Sequence, residues 1–400
     1  MTSDFPRLLV ATESPPNSPG GGAAVIRQML KTWPTEKLFW WSCCPETGRI
    51  FGQAVAEHRV AKIPSGLYPN RRWRAQKAWF LERFWLPGAA RHFERTLVDL
   101  KPDVVWVIPY CLAVPPLARA LPGGKTAFHV SIHDYMDIRG VVEKFGLRRS
   151  RRMAAMADKL YASAGTRDAI CQAMVDDLRM RTGVNGSVNR AGLEQEDFDH
   201  LGQMPKRREG PIRIAYAGTI IAEETVALFA AALSQIREKL PHPVTLEFFG
   251  DHSYRSRPWF DASWMIEHGH LPGRELSRAL KECDWGLSPM KLTDDDPRYN
   301  RFSLPTKFVS YLAAALPVIA IGHPESTVMK MSAKYAVGVR ITDGHLEKLR
   351  EQMLEALSEP EPKATYRAEM LRCALLEFDA RRMRATLFEN FRAASPPQTA

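Results

Sequence analysis

The sequence predicts an α/β protein with two Rossmann-like domains that face a central cleft and with helices at the C-terminal end. Short β-rich apolar runs alternate with helix-length amphipathic stretches along the chain, a pattern typical of parallel sheets wrapped by helices. The chain has 400 residues, whereas a single core stops growing beyond roughly 250 to 300 residues. Two successive α/β series therefore indicate two domains.

The predicted strands fall into these two series. Those of the first lie at residues 7–11, 38–42, 104–108, 126–132 and 159–163, and those of the second at 212–216, 244–249, 267–270, 285–288 and 318–321. The charged, proline-flanked segment 205–211 favours a linker. We predict an N-terminal domain at 1–204, a C-terminal domain at 205–377, and at 378–400 a tail-bearing helix that packs back on the N-terminal domain. The ligand site is expected in the cleft between the domains.

Composition excludes several classes of protein. Hydrophobic residues make up 45% and charged residues 25% of the chain, proportions that fit neither a disordered nor a coiled-coil protein. No apolar run approaches the roughly 18 residues that cross a bilayer, and the first residues do not resemble a secretory signal. Six cysteines without a Cys-x-x-Cys pair are expected to be reduced thiols. These features predict a cytoplasmic protein.

The positive charge is concentrated in one part of the chain. The net charge is +10, and residues 51–152 alone hold 18 basic and 8 acidic side chains. Here Arg71, Arg72, Trp73 and Arg74 open a segment, 71–95, that mixes arginines with tryptophans and phenylalanines. The mixture predicts a helix in the interface of an anionic membrane, with a core stripe or a single-stranded nucleic-acid platform as alternatives. Because no nucleic-acid-binding module is recognisable, we expect no nucleic-acid partner.

Two candidate sites follow strands of the first series. The glycine run Gly20, Gly21 and Gly22 precedes a predicted helix at 24–30, where backbone amides could face a ligand; a flexible loop is the alternative. His133 comes directly after the strand at 126–132, at the sheet edge where open α/β folds bind ligands. A loop histidine that bonds a backbone carbonyl is the alternative.

A third candidate site opens the helix predicted at 308–315. Ser303, Pro305, Thr306 and Lys307 precede or begin this helix. A lysine in a first helical turn opposes the helix dipole unless an anion lies there. Lys307 and the nearby amides therefore predict a diphosphate site, and a solvated lysine is the alternative.

Two apparent metal motifs are interpreted otherwise. The run 294–296 contains Asp-x-Asp but lies in a polar loop, which favours a solvated acidic turn. His268 and His270 have no cysteine or third histidine near them in sequence. No metal or cofactor is expected.

Short motifs in a fixed order run through most of the chain. They are the glycine run at 20–22, PDVV at 102–105, SIHD at 131–134, IRIAYAGT at 212–219, FFGD at 248–251, HGHLP at 268–272, CDWGLSP at 283–289, FSLPTK at 302–307, YLA at 311–313 and PVIA at 317–320. In this order and spacing the chain resembles the GT-B glycosyltransferases, in particular the large retaining family called family 4. Such enzymes build bacterial polysaccharides, lipopolysaccharides and glycolipids.

The resemblance implies roles for individual residues. The C-terminal domain would hold a nucleotide sugar and the N-terminal domain an acceptor, with His133 beside the transferred sugar and the glycines at 20–22 in an acceptor loop. His133 and Lys307 would be catalytic, and no metal would be required. The donor site would comprise Gly218, Thr219, Gly250, Asp251, His270, Leu271, Ser303, Pro305, Thr306 and Ser310.

The chain departs from the family pattern at the donor site. The family usually has glutamates where this chain has Phe302 and Ser310, and it often has arginine and lysine after the glycine that corresponds to Gly218. Here Thr219 is followed by 220–224, which contain no basic residue, so Lys307 would be the main cation for the diphosphate.

We therefore expect a retaining, metal-independent glycosyltransferase of hexosyltransferase type. Its partners would be a nucleoside-diphosphate sugar, a lipid-linked or polysaccharide acceptor, and an anionic membrane surface. The protein would be peripheral at the inner face of that membrane. A nucleotide-sugar epimerase on the same fold and a non-catalytic sugar-binding partner protein are the alternatives.

Overall fold

The computed structural model describes residues 5–18, 21–44, 53–68, 72–203 and 209–394. The chain divides into two compact units: Met1–Ala191 with Ala380–Ala400 forms unit 1, and Gly192–Asp379 forms unit 2. Each unit has helices packed on a parallel sheet, so the predicted α/β class with two parallel-sheet units is confirmed.

The described residues of unit 1 form a seven-stranded sheet with the order β3-β2-β1-β4-β5-β6-β7. All paired strands are parallel. The strands are β1 (Leu8–Ala11), β2 (Leu38–Ser42), β3 (Glu57–Val60), β4 (Val104–Val107), β5 (Phe128–Ile132), β6 (Thr166–Ala169) and β7 (Ser187–Val188). β1 and β4 are fully buried and consist of apolar residues only, because helices cover both faces of such sheets.

Unit 2 repeats this topology. Its described strands are β8 (Ile212–Ala217), β9 (Val244–Phe249), β10 (Met265–Gly269), β11 (Trp285–Pro289), β12 (Val318–Ile321) and β13 (Gly338–Ile341). Their order is β10-β9-β8-β11-β12-β13, again with parallel pairs. In both sheets the strand order reverses beside the first strand of the unit, and ligands of open α/β folds bind at the carboxyl ends of the strands there.

Helices connect the strands in both units. Unit 1 contains α1 (Gly21–Met29), α2 (Arg74–Phe80), α3 (Leu86–Leu100), α4 (Val114–Ala120), α5 (Arg139–Phe145), α6 (Leu147–Ser163) and α7 (Gln172–Thr182). Unit 2 contains α8 (Gln195–Gln203), α9 (Glu223–Ile236), α10 (Gly273–Lys281), α11 (Pro297–Phe302), α12 (Thr306–Ala313), α13 (Thr327–Lys334), α14 (Leu346–Leu357) and α15 (Pro362–Glu377), and α16 (Ala380–Ala394) returns to unit 1. A π-helical segment, Leu81–Trp85, joins α2 to α3.

One predicted strand is wrong. Residues 159–163 form the last turns of α6, and the strand is the next segment, β6. Leu160 and Tyr161 are buried on the inner face of α6, so a short apolar run there is as compatible with a helix as with a strand. β6 escapes detection because its sequence, TRDA, is polar, and its buried Asp168 is held by hydrogen bonds.

The ends of the units also differ from the predicted domain ends. The division falls at Ala191, before the predicted residue 204, because α8 packs against α12 and α15 of unit 2. α16 packs against β5, β6 and α1 in unit 1. Residues 204–208 of the predicted linker and 395–400 of the predicted tail lie outside the described residues. None of the helices in the described ranges has both the length and the apolar character needed to cross a bilayer.

Candidate functional site

Glycine backbone forms the carboxyl edge of the sheet in unit 2. Gly218 follows β8 with a φ of 92°, a conformation that favours glycine, and its N–H donates to the Phe249 carbonyl at 2.7 Å. A Cβ on Gly250 would lie 3.0 Å from the Gly218 oxygen, so the chains after β8 and β9 approach closely. The Gly250 N–H donates in turn to Gly269 at the end of β10, at 2.9 Å. These glycines leave backbone, with no Cβ, along three adjacent strand ends.

Lys307 lies at the start of α12 and reaches this edge through a tyrosine. Its Nζ donates to the Tyr216 Oη at 2.6 Å and lies 4.0 Å from the centre of that ring. The Tyr216 hydroxyl donates to the Thr219 carbonyl at 2.8 Å. The chain Lys307–Tyr216–Thr219 therefore links the first turn of α12 to the loop after β8.

The amine of Lys307 is electrostatically uncompensated. It is half-buried, and none of the carboxylates in the described ranges pairs with it. Burial lowers the pKa of Lys307 to about 7. α12 has no acidic residue in its first turn and no side-chain cap at Pro305, so the positive end of the helix dipole adds to the same deficit of negative charge. An anion bound here would stabilise the protonated amine.

The other predicted residues around α12 have structural partners. The Ser303 carbonyl accepts a hydrogen bond from the Thr327 hydroxyl, and Pro305 holds extended backbone directly before the helix. The Ser310 hydroxyl donates to the Thr306 carbonyl at 3.3 Å, so it bonds its own helix.

Tyr311 is a site residue that the sequence analysis missed. Its hydroxyl accepts from the Ala217 N–H at 3.0 Å and donates to the Leu287 carbonyl at 3.1 Å. It thereby fastens α12 to the end of β8 and to the middle of β11. A buried tyrosine directly after Ser310 gives no signal in the sequence that distinguishes it from an ordinary core residue.

Asp251, His270 and Leu271 lie where the chain leaves β9 and β10. The Nδ1 of His270 is 3.4 Å from an Asp251 oxygen, and both side chains are exposed. The Thr219 hydroxyl lies 3.4 Å from the Nδ1 of His252. Leu271 is half-buried ahead of α10. The predicted donor residues thus gather at the carboxyl edge of one sheet.

In unit 1 the described glycines and His133 meet at the corresponding edge. Gly21 and Gly22 form the first turn of α1, and a Cβ on Gly22 would lie 3.8 Å from the Nδ1 of His133. Burial lowers the pKa of His133, partly offset by Asp168, which favours the neutral imidazole near pH 7. Burial also raises the pKa of Asp134 to about 6. Gly20 lies outside the described residues.

Glu13 is a second site residue that the sequence analysis missed. It follows β1, is only 5% exposed, and accepts hydrogen bonds from the Tyr68 hydroxyl at 2.7 Å and from the Leu112 N–H at 2.6 Å. Burial raises its pKa despite these two donors. A carboxylate two residues after a buried parallel strand and ahead of a glycine run is the sequence signal that could have identified it.

A buried polar network lies beneath α16 in unit 1. The ring nitrogens of His129 lie 2.9 Å from Asp168 Oδ2 and 2.9 Å from the Thr166 hydroxyl, which donates to the Asn390 carbonyl of α16 at 2.8 Å. The Trp106 indole donates to the Ser131 hydroxyl at 2.7 Å. His129, Asp168, Ser131 and Trp106 are fully buried, and the bond from Thr166 reaches α16, so we interpret the network as the structural attachment of α16.

The basic and aromatic segment is largely exposed. Trp73 is 60% and Phe84 56% exposed, and the Phe84 ring contacts the rings of Trp79 and Phe80. We call Trp73, Trp79, Phe80 and Phe84 the aromatic patch. The core-stripe alternative fits only part of the segment, chiefly the fully buried Phe93.

The predicted arginines lie at the start of this segment. Arg72 and Arg74 are exposed, and Arg74 also donates to the Glu143 carbonyl at 2.8 Å. Arg71 lies outside the described residues. Contiguous exposed aromatic surface of this kind marks interaction sites.

The acidic run at 294–296 serves local structure. Asp294 accepts from Arg301 at 2.8 Å, Asp295 from Lys291 at 2.9 Å, and Asp296 from the Tyr299 N–H of α11 at 3.4 Å. His268 lies 2.8 Å from a Glu247 oxygen. Within the described ranges, no group of three or more His, Cys, Asp or Glu is placed to hold a metal ion.

Comparison with known proteins identifies the fold. No family model and no curated sequence matches the chain. It is similar in structure to an α,α-trehalose-phosphate synthase (UDP-forming) from Burkholderia xenovorans, with a TM-score of 0.65 and 12% identity over 96% of this chain and 100% of that one. It is also similar to WaaG, a glycosyltransferase involved in lipopolysaccharide biosynthesis (TM-score 0.63, 12% identity, 96% and 99% covered), and to AviGT4, a glycosyltransferase involved in avilamycin A biosynthesis (0.53, 14%, 97% and 97%). The predicted GT-B fold of glycosyltransferases is thereby confirmed.

Proposed function

We propose that this chain transfers a sugar from a nucleoside-diphosphate donor to a lipid-linked or polysaccharide acceptor, with retention at the anomeric carbon. One observation carries the proposal. The half-buried amine of Lys307 has no carboxylate partner among the described residues and lies at a helix start, linked through Tyr216 to a backbone edge without Cβ atoms. A diphosphate supplies the negative charge that this position lacks and fits close to glycine backbone.

The proposed reaction uses this charge at the leaving group. The bond between the anomeric carbon and the β-phosphate oxygen breaks, and a bond from the acceptor oxygen to the same carbon forms. The nucleoside diphosphate leaves with the bonding electron pair, and the acceptor hydroxyl gives up its proton. A protonated Lys307 and the amides at the start of α12 stabilise the negative charge that develops on the phosphate. We propose that these groups do so without a metal ion.

We assign the two substrates to the two units. In unit 2 the diphosphate would contact Gly218, Thr219 and the 303–307 turn, and the base would lie against the backbone after His270. In unit 1 His133 would contact the transferred sugar, and the start of α1 would contact the acceptor. The exposed aromatic patch and its arginines support a peripheral position at an anionic membrane.

A non-catalytic sugar-binding protein is the second candidate function. It is favoured by Ser310, because this hydroxyl bonds its own helix and no carboxylate occupies the position at which the family pattern has glutamate. Such a protein would bind the donor and leave it unchanged.

The decisive experiment combines binding and turnover. We would screen UDP, GDP, CDP and ADP by thermal shift, where a ligand at about 100 times its Kd adds about 2.7 kcal/mol of stability. The matching labelled nucleotide sugars would then be incubated with a lipid and glycan extract, with and without a chelator. We expect label in an acceptor, unaffected by the chelator. A new free nucleotide sugar without acceptor would indicate an epimerase, and selective binding without turnover would favour the non-catalytic protein.

A further inference from the structure

A cavity of about 220 Å³ opens in unit 1 between the α2–π segment and α6. Its lining includes four buried apolar residues, Leu81, Leu112, Phe145 and Met153, and two partly buried ones, Trp85 and Met156. An engineered apolar cavity of about 150 Å³ binds benzene, so this cavity is on the scale that takes a hydrocarbon guest. None of the residues assigned above to the donor or the acceptor lines it.

One wall of the cavity is the π-helical segment Leu81–Trp85. Single π-turns within helices are rare and frequently occur at functional sites. The Trp85 indole N–H donates to the Lys62 carbonyl at 3.1 Å, which fixes the ring that lines the cavity. This bond holds the wall in place beside the opening.

The rim of the cavity is cationic. Arg149 is neutralised by Glu82 at 2.9 Å, whereas the exposed Arg152 has no partner among the residues that the structure describes. α6 begins at Leu147 and has no acidic residue in its first turn. Four arginines lie in its first two turns: Arg148, Arg149, Arg151 and Arg152. Cations at the positive end of a helix are unfavourable unless an anion lies among them.

We propose that this cavity binds one alkyl chain of an anionic membrane lipid, with the lipid phosphate at Arg152. The apolar walls match the chain, the unpaired cation matches the headgroup, and the aromatic patch continues from the same helical run toward the surface. The inference deepens the proposed function by naming a lipid contact of unit 1, and it rests on that proposal for the membrane setting alone.

The test is the binding of single-chain alkyl phosphates to the intact chain by calorimetry, below their micelle concentrations. Each buried methylene should increase affinity about fourfold, up to a plateau at which the cavity is full. Alkyl maltosides of the same lengths should bind more weakly, because they lack the charge. Affinity that is independent of chain length, or equal for neutral heads, would overturn the proposal.

Matched variants locate the ligand. Met156→Trp fills the cavity and should remove the chain-length dependence, whereas Ala155→Trp, on an exposed position of the same helix outside the cavity lining, should leave it unchanged. Arg152→Gln should weaken alkyl phosphates about two- to fivefold, and Arg151→Gln should not. If Met156→Trp fails to fold, Met156→Ala should shift the plateau to longer chains. If the affinity of Met156→Ala levels off at the same alkyl length as that of the wild type, the alkyl chain does not bind in this cavity.

Nucleoside-diphosphate binding is measured on the same preparations. If the protein binds alkyl phosphates but no nucleoside diphosphate, the lipid site in the cavity is supported and the proposed donor is refuted. If it binds nucleoside diphosphates but no alkyl phosphate, only the proposed lipid site is refuted. Vesicles of phosphatidylglycerol should displace a short alkyl phosphate from the cavity, and displacement by a glycan acceptor but not by these vesicles would overturn the assignment to a membrane lipid.

Discussion

The two units share one sheet topology and differ in the groups at its carboxyl edge. Unit 2 presents glycine backbone and an uncompensated amine, Lys307, at the ends of β8 to β10. Unit 1 presents a buried carboxylate, Glu13, and two groups after β5, His133 and Asp134, in both of which burial favours the uncharged form: it lowers the pKa of His133 and raises that of Asp134. The same reversal of strand order thus carries a cationic edge in one unit and a titratable edge in the other.

The difference shows that the residues at the strand ends, and not the sheet topology, determine which ligand each unit can bind. Parallel topology brings loop residues together at an edge, but the residues that follow each strand determine what can bind there. An edge with a cation and no Cβ atoms suits a diphosphate. An edge with an imidazole and a carboxylate suits hydroxyl groups, which both donate and accept hydrogen bonds.

The sharpest test of this division is His133→Ala in unit 1. If the imidazole contacts the transferred sugar, the loss of one preorganised contact should lower kcat by about 100- to 1,000-fold. Nucleoside-diphosphate affinity should stay within about twofold, because that ligand is assigned to unit 2. Steady-state kinetics and calorimetry measure the two quantities.

The matched control for His133 is His242→Ala, an exposed histidine of unit 2. Near wild-type turnover of His133→Ala would refute the proposed role of His133. A loss of turnover supports that role only if the melting temperature of His133→Ala matches that of the wild type, since the loss of a buried hydrogen-bonding side chain can destabilise a fold.

A second test contrasts the basic surfaces of the two units. Replacing Arg71, Arg72 and Arg74 by Gln should weaken binding to phosphatidylserine-rich vesicles by about 100-fold, since each arginine near an anionic surface contributes about 1 kcal/mol. Arg274→Gln with Arg278→Gln, two exposed arginines of unit 2, should have little effect. Vesicle sedimentation measures both, and equal losses in the two variants would remove the membrane role of unit 1.

A third test concerns the cationic edge itself. Lys307→Gln should weaken nucleoside-diphosphate binding by about 10- to 150-fold, because a charge-assisted contact contributes about 1.5 to 3 kcal/mol. Without ligand, the same change should leave the free energy of unfolding unchanged or raise it, because the cation opposes the dipole of α12 and burial disfavours its charged form. Calorimetry and denaturant unfolding measure the two effects.

The exposed Lys239→Gln is the matched control for Lys307. It should change neither quantity. If Lys307→Gln binds diphosphates as tightly as the wild type, the diphosphate site does not lie at the start of α12.

Sequence patterns predict most of the apolar strands and miss polar ones such as β3 and β6. β1, β4, β8, β9 and β12 are short apolar runs in a chain of alternating elements, so periodicity identifies them. β3 and β6, with the sequences EHRV and TRDA, are stabilised by neighbours that local sequence does not show. The buried Asp168 of β6 is bonded by His129 and Asn189 from other parts of the chain.

The candidate site divides in the same way. Lys307 and His133 are visible in the sequence because each has an unusual local position, one in a first helical turn and one after a buried strand. Tyr216 and Tyr311 are not visible, since their roles depend on contacts with residues 91 and 94 positions away. The aromatic patch could not be predicted with certainty either, because the spacing of rings along a helix does not show whether they are buried or exposed.

A last test concerns the pH dependence that Lys307 adds in unit 2. The pKa of Lys307 is lowered to about 7 in the folded protein, whereas an unfolded lysine titrates near about 10.4. Between these values the unfolded state binds the additional proton, so this residue makes the free energy of unfolding rise with pH from about 7 to about 10. Lys307→Gln should lose that component of the rise in denaturant unfolding, while the wild type and Lys239→Gln keep it.

Diphosphate binding should show the opposite slope. A bound anion raises the pKa of Lys307, so binding takes up a proton above pH 7 and affinity falls as pH rises, by at most about tenfold per pH unit. Measurements should stay above pH 7, because a terminal phosphate itself titrates near about 6. Calorimetry in two buffers with different ionisation enthalpies detects the proton directly. The Gln variant should take up none; if it takes up as many protons as the wild type, the titrating group lies elsewhere, and the contrast between a cationic and a titratable edge no longer depends on Lys307.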